Sequence, residues 1–232
     1  MVLDARLCLG DCRLHPLAGQ ALALLCADAR EAGFDLRVVS GFRSFERQAM
    51  IWNAKARGLR PVLDAAERPI DIRTIDEMAL VFAILRWSAL PGASRHHWGT
   101  DLDVLDAMRL VPGQAVELSV ADTRAEGPFA PLHRWLDERI ASGRSHGFFR
   151  PYVGVGCRVA PEPWHLSFAP LAWRCQCAFD PAALAAVHGR AAIALHEVIE
   201  VVRERIVREY LAVPAWLYTT ALHGIGGEAG IG

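Results

Sequence analysis

Three polar clusters carry residue types that could do chemistry, and each stands where a regular element begins or ends. They are Ser-Gly-Phe-Arg-Ser at 40–44, the run at 94–103, and Glu-Pro-Trp-His at 162–165. Catalytic zinc sites take three protein ligands from histidines and carboxylates and leave a fourth position to water. The clusters therefore indicate a metal-dependent hydrolase, with ordinary surface or core histidines as the alternative.

The second and third clusters supply a candidate ligand set of His96, Asp103 and His165. Asp103 follows His96 by seven positions, an odd offset, so a continuous strand would turn the two side chains to opposite faces. Gly99 lies between them and can provide the bend that turns both inward. The neighbouring His97 is an alternative to His96, because spacing alone favours His96 only slightly.

Further charged residues surround this candidate set. Asp101 shares a strand face with Asp103 and is expected to orient a ligand imidazole. Flanking prolines keep Glu162 off a regular helix, but a carboxylate beside a ligand is placed to deprotonate metal-activated water. Arg43 lies on a loop, where a guanidinium can bind a substrate carboxylate or stabilise an oxyanion; a solvated loop arginine is the alternative.

The elements around these clusters mix helices and short strands without regular βαβ alternation, which predicts an α+β fold. Apolar periodicity and capping residues locate them. Predicted helices run from Pro16 to Gly33, Ser44 to Gly58, Asp76 to Leu90, Pro131 to Ala141 and, as one or two helices, Pro181 to Leu211, and predicted strands cover Leu36 to Val39, Leu102 to Leu105, Phe148 to Phe149 and Trp164 to Phe168.

The domain organisation follows from the same pattern. We expect one domain over 1–180 that contains the three clusters, a C-terminal helical extension over 181–223 packed on that domain, and a flexible Gly-rich tail over 224–232. An irregular insertion is expected over 110–129. The six cysteines are too sparse for a disulfide scaffold. Free thiols are favoured over a metal site built from Cys8, Cys12, Cys175 and Cys177, whose spacing fits zinc knuckles poorly.

Composition excludes several classes of protein. With 53% hydrophobic and 22% charged residues, the 232-residue chain is not intrinsically disordered. A net charge of −1 argues against a general nucleic-acid binder. The richest apolar stretch, 78–85, is too short to span a membrane. Asp4 and Arg6 stand where a signal peptide would be apolar, which predicts a cytoplasmic protein; a periplasmic or cell-envelope location is the alternative if export is unrecognised.

The three clusters resemble, in order, the motifs of the VanY-type D-alanyl-D-alanine carboxypeptidases and D,D-dipeptidases. Residues 40–48, which include Arg43 and Gln48, resemble Ser-x-Tyr-Arg-Ser-x-x-x-Gln. Residues 94–103 resemble Ser-x-His-x-x-Gly-x-x-x-Asp, and residues 162–165 resemble Glu-x-Trp-His. Two departures stand out: Phe42 replaces the usual Tyr, and Asp101 stands where the family usually has a small residue.

This resemblance implies a small antiparallel sheet flanked by helices, shared with the Hedgehog signalling domain, with extra C-terminal helices here. It implies one zinc ion per chain bound by His96, Asp103 and His165, which decides between His96 and His97. Glu162 would be the catalytic base.

The resemblance also implies a substrate subsite. Arg43 would assist the transition state or hold the terminal carboxylate of the peptide. Gln48 and Ser94 would bind substrate with it.

The implied activity is zinc-dependent hydrolysis of a peptide bond at a D-amino acid in cell-wall-type peptides. The expected partner is therefore a peptide substrate, without nucleic acid and without a membrane span. Two alternatives are an endopeptidase that cuts inside the peptidoglycan stem peptide and a non-catalytic zinc-binding recognition module. Glu162 and Arg43 favour catalysis, because a binding module needs no base.

Overall fold

The structure is a computed structural model that describes residues 1–4, 7–10, 12–111, 113, 116 and 118–223; the tail expected at 224–232 lies outside the described residues. Helices surround a small antiparallel sheet, which confirms the α+β prediction. In chain order the elements are α1 (Pro16–Glu31), β1 (Leu36–Ser40), α2 (Phe45–Ala56), α3 (Glu77–Leu85), β2 (Asp101–Asp106), α4 (Val120–Thr123), α5 (Ala130–Ala141), β3 (Phe148–Phe149), β4 (His165–Phe168), α6 (Ala169–Cys177), α7 (Pro181–His188), α8 (His196–Ile206) and α9 (Ala215–His223).

The sheet has the strand order β1-β2-β4-β3, and its neighbouring strands are antiparallel. Leu102 on β2 lies opposite Leu166 on β4, and Asp103 lies opposite His165. Because side chains alternate between the two faces of a strand, the leucine pair and the Asp103–His165 pair point to opposite faces. One face of the central strands is therefore apolar, and the other carries the candidate ligands.

The apolar face packs on α1 and α5. Leu102 and Leu166 join a buried cluster that includes Leu22 and Leu25 of α1 and Leu132 of α5. Burying one such leucine contributes about 1.5–3 kcal/mol. This packing holds the backbone of β2 and β4 in register and so determines the spacing of the side chains on the opposite face.

A second hydrophobic cluster lies beneath the helices that follow the sheet. It combines Trp52 of α2 and Ile84 of α3 with Ile199 of α8 and Tyr218 of α9. The C-terminal helices thus share a core with helices from the first half of the chain, while the boundary expected at residue 180 stays a prediction.

Local signals explain where several helices begin. Ser44 caps α2, as predicted, because its side chain accepts a hydrogen bond from the Arg47 N–H. Asp76 caps α3 in the same way by accepting from the Ala79 N–H. Prolines in the first turn begin α1, α5, α6 and α7, where a missing N–H costs nothing.

Some boundaries predicted from the sequence are wrong. The third helix ends at Leu85 and not at Leu90; the indole of Trp87 donates to the carbonyl of Asp64 outside the helix, and the chain then turns. The expected insertion contains the short α4. Helices α6 and α9 were not predicted. The stretch predicted as one or two helices forms α7 and α8, followed by a π-helical turn at Val207–Leu211.

In the part of the chain that the structure describes, no disulfide joins two cysteines, and Cys8, Cys12, Cys175 and Cys177 do not meet as a metal site. None of the helices found there is both long and apolar enough to cross a membrane.

Candidate metal centre

The register of β2 and β4 brings two of the three candidate ligands together, and a short helical turn adds the third. Asp103 and His165 are a cross-strand pair. His96 lies on a single 3-10 turn, Arg95–Trp98, that ends at Gly99 with φ 68°. This left-handed conformation is the bend expected from the sequence. One ligand atom from each of His96, Asp103 and His165 lies within 4.8 Å of the others, and all three side chains are buried.

The second nitrogen of each imidazole has a partner that determines which nitrogen is free. Nδ1 of His96 lies 2.8 Å from the carbonyl oxygen of Gly41, so Nδ1–H donates and Nε2 keeps its lone pair. Nε2 of His165 lies 2.9 Å from Oδ2 of Asp101, so Nε2–H donates and Nδ1 keeps its lone pair. The free nitrogens face Asp103, at 3.5 Å from Nε2 of His96 and 3.3 Å from Nδ1 of His165.

These donors fit a divalent cation. Oδ1 of Asp103 is buried and has no hydrogen-bond partner within the described part of the chain. Burial lowers the pKa of His96 to about 3, so its ring is neutral, as a ligand must be. Two lone pairs and an unpaired carboxylate oxygen at these separations repel one another unless a positive charge lies between them.

The carboxylates around His165 also favour a positive charge at this position. Burial acts to lower the pKa of His165, but contacts with Asp101, Asp103 and Glu162 outweigh it and hold the pKa well above its usual value. These three carboxylates therefore favour positive charge beside Nδ1 of His165, which a bound metal ion would supply.

The neighbouring His97 is not available as a ligand. Its Nδ1–H donates to the carbonyl oxygen of Arg43 at 2.6 Å, and its Nε2 accepts from the Gly92 N–H at 3.0 Å. Both ring nitrogens are therefore used by the backbone. His97 instead ties the Arg43 loop to the turn that carries His96.

Arg43 lies at the edge of the cluster, held by two polar side chains. Its Nη1 donates to Oε1 of Gln48 at 2.9 Å, its Nη2 donates to Oγ of Ser40 at 3.0 Å, and Nη2 is 4.0 Å from Oδ2 of Asp103. The amide nitrogen of Gln48 donates to the carbonyl oxygen of Ala89. Gln48 is fully buried with both ends of its amide engaged, so it orients Arg43; the direct substrate contact expected for it stays a prediction.

The three candidate ligands His96, Asp103 and His165, called the metal cluster below, line a cleft of about 260 Å³. Glu162 lines this cleft, with Oε2 3.4 Å from Nδ1 of His165, and burial raises the pKa of the Glu162 carboxyl. Ser94 lines it too, while the substrate contact expected for Ser94 stays a prediction. Phe42, which replaces the usual Tyr, is exposed and lies outside the cleft lining.

Lys55 also lines the cleft and was not predicted as a site residue. Burial lowers the pKa of its ammonium to about 8, with Glu162 opposing that shift. Lys55 therefore keeps most of its charge at neutral pH and adds a second cation to Arg43. Lys55 is the single lysine of the sequence, which could have drawn attention to it, but only the fold brings the end of α2 to the cleft.

A buried network supports Asp101 from behind. Nε of Arg95 donates to Oδ2 of Asp101 at 2.9 Å, and its Nη2 donates to Oγ of Ser167 at 2.7 Å. Its Nη1 donates to the hydroxyl of Tyr218 on α9 at 2.9 Å. Burial acts to raise the pKa of Asp101, but Arg95 and His165 hold it far below its usual value. Asp101 is thus a permanent carboxylate that accepts from His165, which matches the orienting position expected from the sequence.

A family model described as VanY, D-alanyl-D-alanine carboxypeptidase, matches residues 11–171. An uncharacterized protein of Haemophilus influenzae is 46% identical over 77 residues, which are 33% of this chain and 53% of that protein. Another from the same organism is 34% identical over 94 residues, 40% of this chain and 70% of that protein. The chain thus spans about half the length of the first relative.

Solved structures are similar at lower identity. The VanY D,D-pentapeptidase of a VanB-type vancomycin resistance cassette, a mutant in complex with Zn(II), is 21% identical with a TM-score of 0.49, over 85% of this chain and 93% of that one. The LdcB LD-carboxypeptidase is 21% identical with a TM-score of 0.47, over 81% of this chain and 68% of that one.

Proposed function

Because this chain belongs to the VanY family of D-alanyl-D-alanine carboxypeptidases, we propose that it is a zinc-dependent peptidase that hydrolyses a peptide bond at a D-amino acid in cell-wall-type peptides. The observation that carries this proposal is the convergence of three free ligand atoms within 4.8 Å of one another beside Glu162.

Nε2 of His96, a carboxylate oxygen of Asp103 and Nδ1 of His165 would hold the zinc ion. This set of two imidazoles and one carboxylate is typical of catalytic zinc sites that leave a position open. When bound, zinc polarises a carbonyl and lowers the pKa of a bound water. Asp101 keeps Nε2 of His165 protonated and so keeps Nδ1 available.

Glu162 is the proposed general base. Its carboxylate takes a proton from the attacking water, the water oxygen forms a bond to the scissile carbonyl carbon, and the proton passes to the amine nitrogen as the C–N bond breaks. Burial raises the pKa of Glu162, which makes the carboxylate a stronger base and its acid form a competent donor near neutral pH.

Arg43 and Lys55 are the proposed recognition residues for the anionic end of the peptide. Gln48 and Ser40 hold the Arg43 guanidinium in one orientation, and a pre-oriented guanidinium binds a carboxylate or a developing oxyanion with little reorganisation. Ser94 provides a hydroxyl on the wall of the same cleft.

The test compares Glu162→Gln with His165→Ala. Glu162→Gln is expected to keep stoichiometric zinc and to lose turnover of a peptide ending in D-Ala-D-Ala by about 100- to 10,000-fold, the usual contribution of a general base. His165→Ala is expected to lose the zinc itself. Elemental analysis measures the zinc content, and a D-alanine release assay measures the turnover. Full turnover by Glu162→Gln would show that Glu162 is not the general base.

The site of cleavage is tested by a second pair of substrates. A carboxypeptidase releases D-alanine from a soluble pentapeptide, whereas the alternative endopeptidase releases fragments from intact cross-linked sacculi. Binding of the pentapeptide without any product by mass spectrometry would instead indicate a recognition module.

A further inference from the structure

A second cavity of about 400 Å³ lies on the other side of the segment that carries Glu162. Tyr152 lines both this cavity and the metal cleft, and Pro163, next to Glu162, lines the second cavity. The rest of its wall comes mainly from α5 and the loop before it. Three arginines, Arg124, Arg134 and Arg150, and one histidine, His133, contribute to its lining. Asp137 contributes a carboxylate.

Arg150 is buried in this wall with part of its guanidinium unused. Its Nε donates to Oδ1 of Asp137 at 2.6 Å, and its Nη2 donates to the carbonyl oxygen of His133 at 3.2 Å. Its Nη1 is also buried but has no hydrogen-bond partner among the residues that the structure describes. A buried, unpaired guanidinium nitrogen is costly and calls for an acceptor.

His133 presents a second unused donor in the same wall. Its Nδ1 lies 3.4 Å from Nη2 of Arg150, so Nδ1 accepts and the ring proton resides on Nε2. Nε2 is buried and, within the described chain, has no partner. Burial, together with the charge of Arg150, lowers the pKa of His133 to about 3, which keeps the ring neutral and its Nε2–H a donor.

The charge of the lining favours an anion. Arg124 and Arg134 are exposed at the rim, and Nη1 of Arg134 donates to the carbonyl oxygen of Ala125. Asp137 is paired with Arg150, and its side chain is 63% exposed. Three guanidinium groups therefore face one largely hydrated carboxylate, so positive charge is in excess.

We infer that this cavity binds an oxyanion, a carboxylate or phosphate group, through the guanidinium group of Arg150, with Arg124 and Arg134 attracting it at the rim and the His133 ring beside it. Guanidinium groups donate hydrogen bonds to anionic oxygens and offer nothing to a cation. The site is separate from the metal cluster, and the inference does not depend on the proposed peptidase activity.

The test follows the His133 ring directly while sodium phosphate or sodium acetate is added to the zinc-loaded protein at constant ionic strength. The ring signals in a ¹H–¹⁵N NMR spectrum are assigned to His133 by their loss in His133→Asn. We expect a saturable shift of these signals. If phosphate saturates the shift at a lower concentration than acetate does, the ligand is a phosphate group. If acetate does so at a lower concentration than phosphate, the ligand is a carboxylate.

Variants of the lining locate the binding. The double variant Arg124→Gln/Arg134→Gln, whose changes are at exposed positions, is expected to weaken anion binding roughly tenfold, in line with the loss of charge-assisted interactions. Arg150→Lys keeps the charge but lacks the guanidinium group, and is expected to weaken anion binding as well. If this variant does not fold, the affinity of the double variant is the test of the inference. Arg190→Gln, exposed and outside the cavity lining, is the control. No saturable shift with either anion, or equal affinity in the double variant, would overturn the inference.

Discussion

At the scale of single residues, the candidate site depends on which nitrogen of each imidazole is free. Gly41 and Asp101 each accept from one ring nitrogen, of His96 and His165 respectively, and so turn the other toward Asp103. The ligands are thus arranged before any metal binds. Asp101, which stands where the VanY family usually has a small residue, therefore has a role here: it orients the imidazole of His165.

Asp101→Asn tests this arrangement. An asparagine whose amide nitrogen faces His165 would present a donor where the imidazole needs an acceptor, and Arg95 would lose its carboxylate partner. We expect zinc affinity to fall about 10- to 100-fold, the usual cost of losing such a partner. A chelator competition titration measures this effect.

Asp106→Asn is the matched control, because Asp106 lies at the far end of the same strand and caps a different turn. Its zinc affinity should equal that of the wild-type protein. Unchanged affinity in Asp101→Asn would show that Asp101 does not orient the ligand.

At the scale of elements, the centre requires three segments to meet in one register. The pairing of β2 with β4 places Asp103 opposite His165, and the turn at Gly99 brings His96 back over the same face. The strand face that carries Asp103 and the bend at Gly99 were predictable, because the alternation of Leu102 and Val104 with the aspartates and the glycine between His96 and Asp103 are local signals. The pairing of β2 with β4 was not predicted, because it joins strands that are distant in the sequence. Lys55 and Tyr218 were not predictable, because they reach the site only through packing of distant helices.

Gly99→Ala tests the turn. Gly99 has φ 68°, and an added Cβ would lie 3.1 Å from the backbone nitrogen of His15. We expect a loss of about 1–2 kcal/mol in the free energy of unfolding from the left-handed conformation. We also expect weaker zinc binding, because the turn carries His96.

Gly33→Ala provides the comparison, since Gly33 has φ 88° with no atom within 4 Å of an added Cβ. It should lose stability in urea denaturation but keep its zinc affinity. If Gly99→Ala behaves in the same way as Gly33→Ala, the turn does not position His96.

At the scale of the whole molecule, one continuous chain of contacts joins the C-terminal helix to the centre. Tyr218 on α9 contacts Arg95, Arg95 contacts Asp101, and Asp101 contacts His165. The segment after residue 171, beyond the family match, therefore contributes to the support of the ligands. No motif marks that contribution, so it emerges only from the fold.

Whole-molecule stability is also expected to depend on pH through His133. The pKa of His133 has its ordinary value of about 6.5 in the unfolded chain, whereas burial and the charge of Arg150 lower this pKa to about 3 in the folded chain. The unfolded state therefore takes up more protons in this window, and stability is lost as the pH falls from about 6.5 toward 3, by up to about 1.4 kcal/mol per pH unit.

His133→Asn should flatten this loss. Urea denaturation of both proteins at several pH values across the window measures the difference in slope. The same slope in the variant would show that His133 is not held neutral in the folded protein.

The measurement that tests the central claim most directly is release of free D-alanine from a peptide ending in D-Ala-D-Ala by the purified protein, before and after chelation and after zinc is restored. We predict release that stops when the metal is removed and returns with stoichiometric zinc. Release that persists at full rate in the chelated, metal-free protein, or no release by the zinc-loaded protein from any peptide in a panel of D-Ala-terminated stem peptides, would contradict the account.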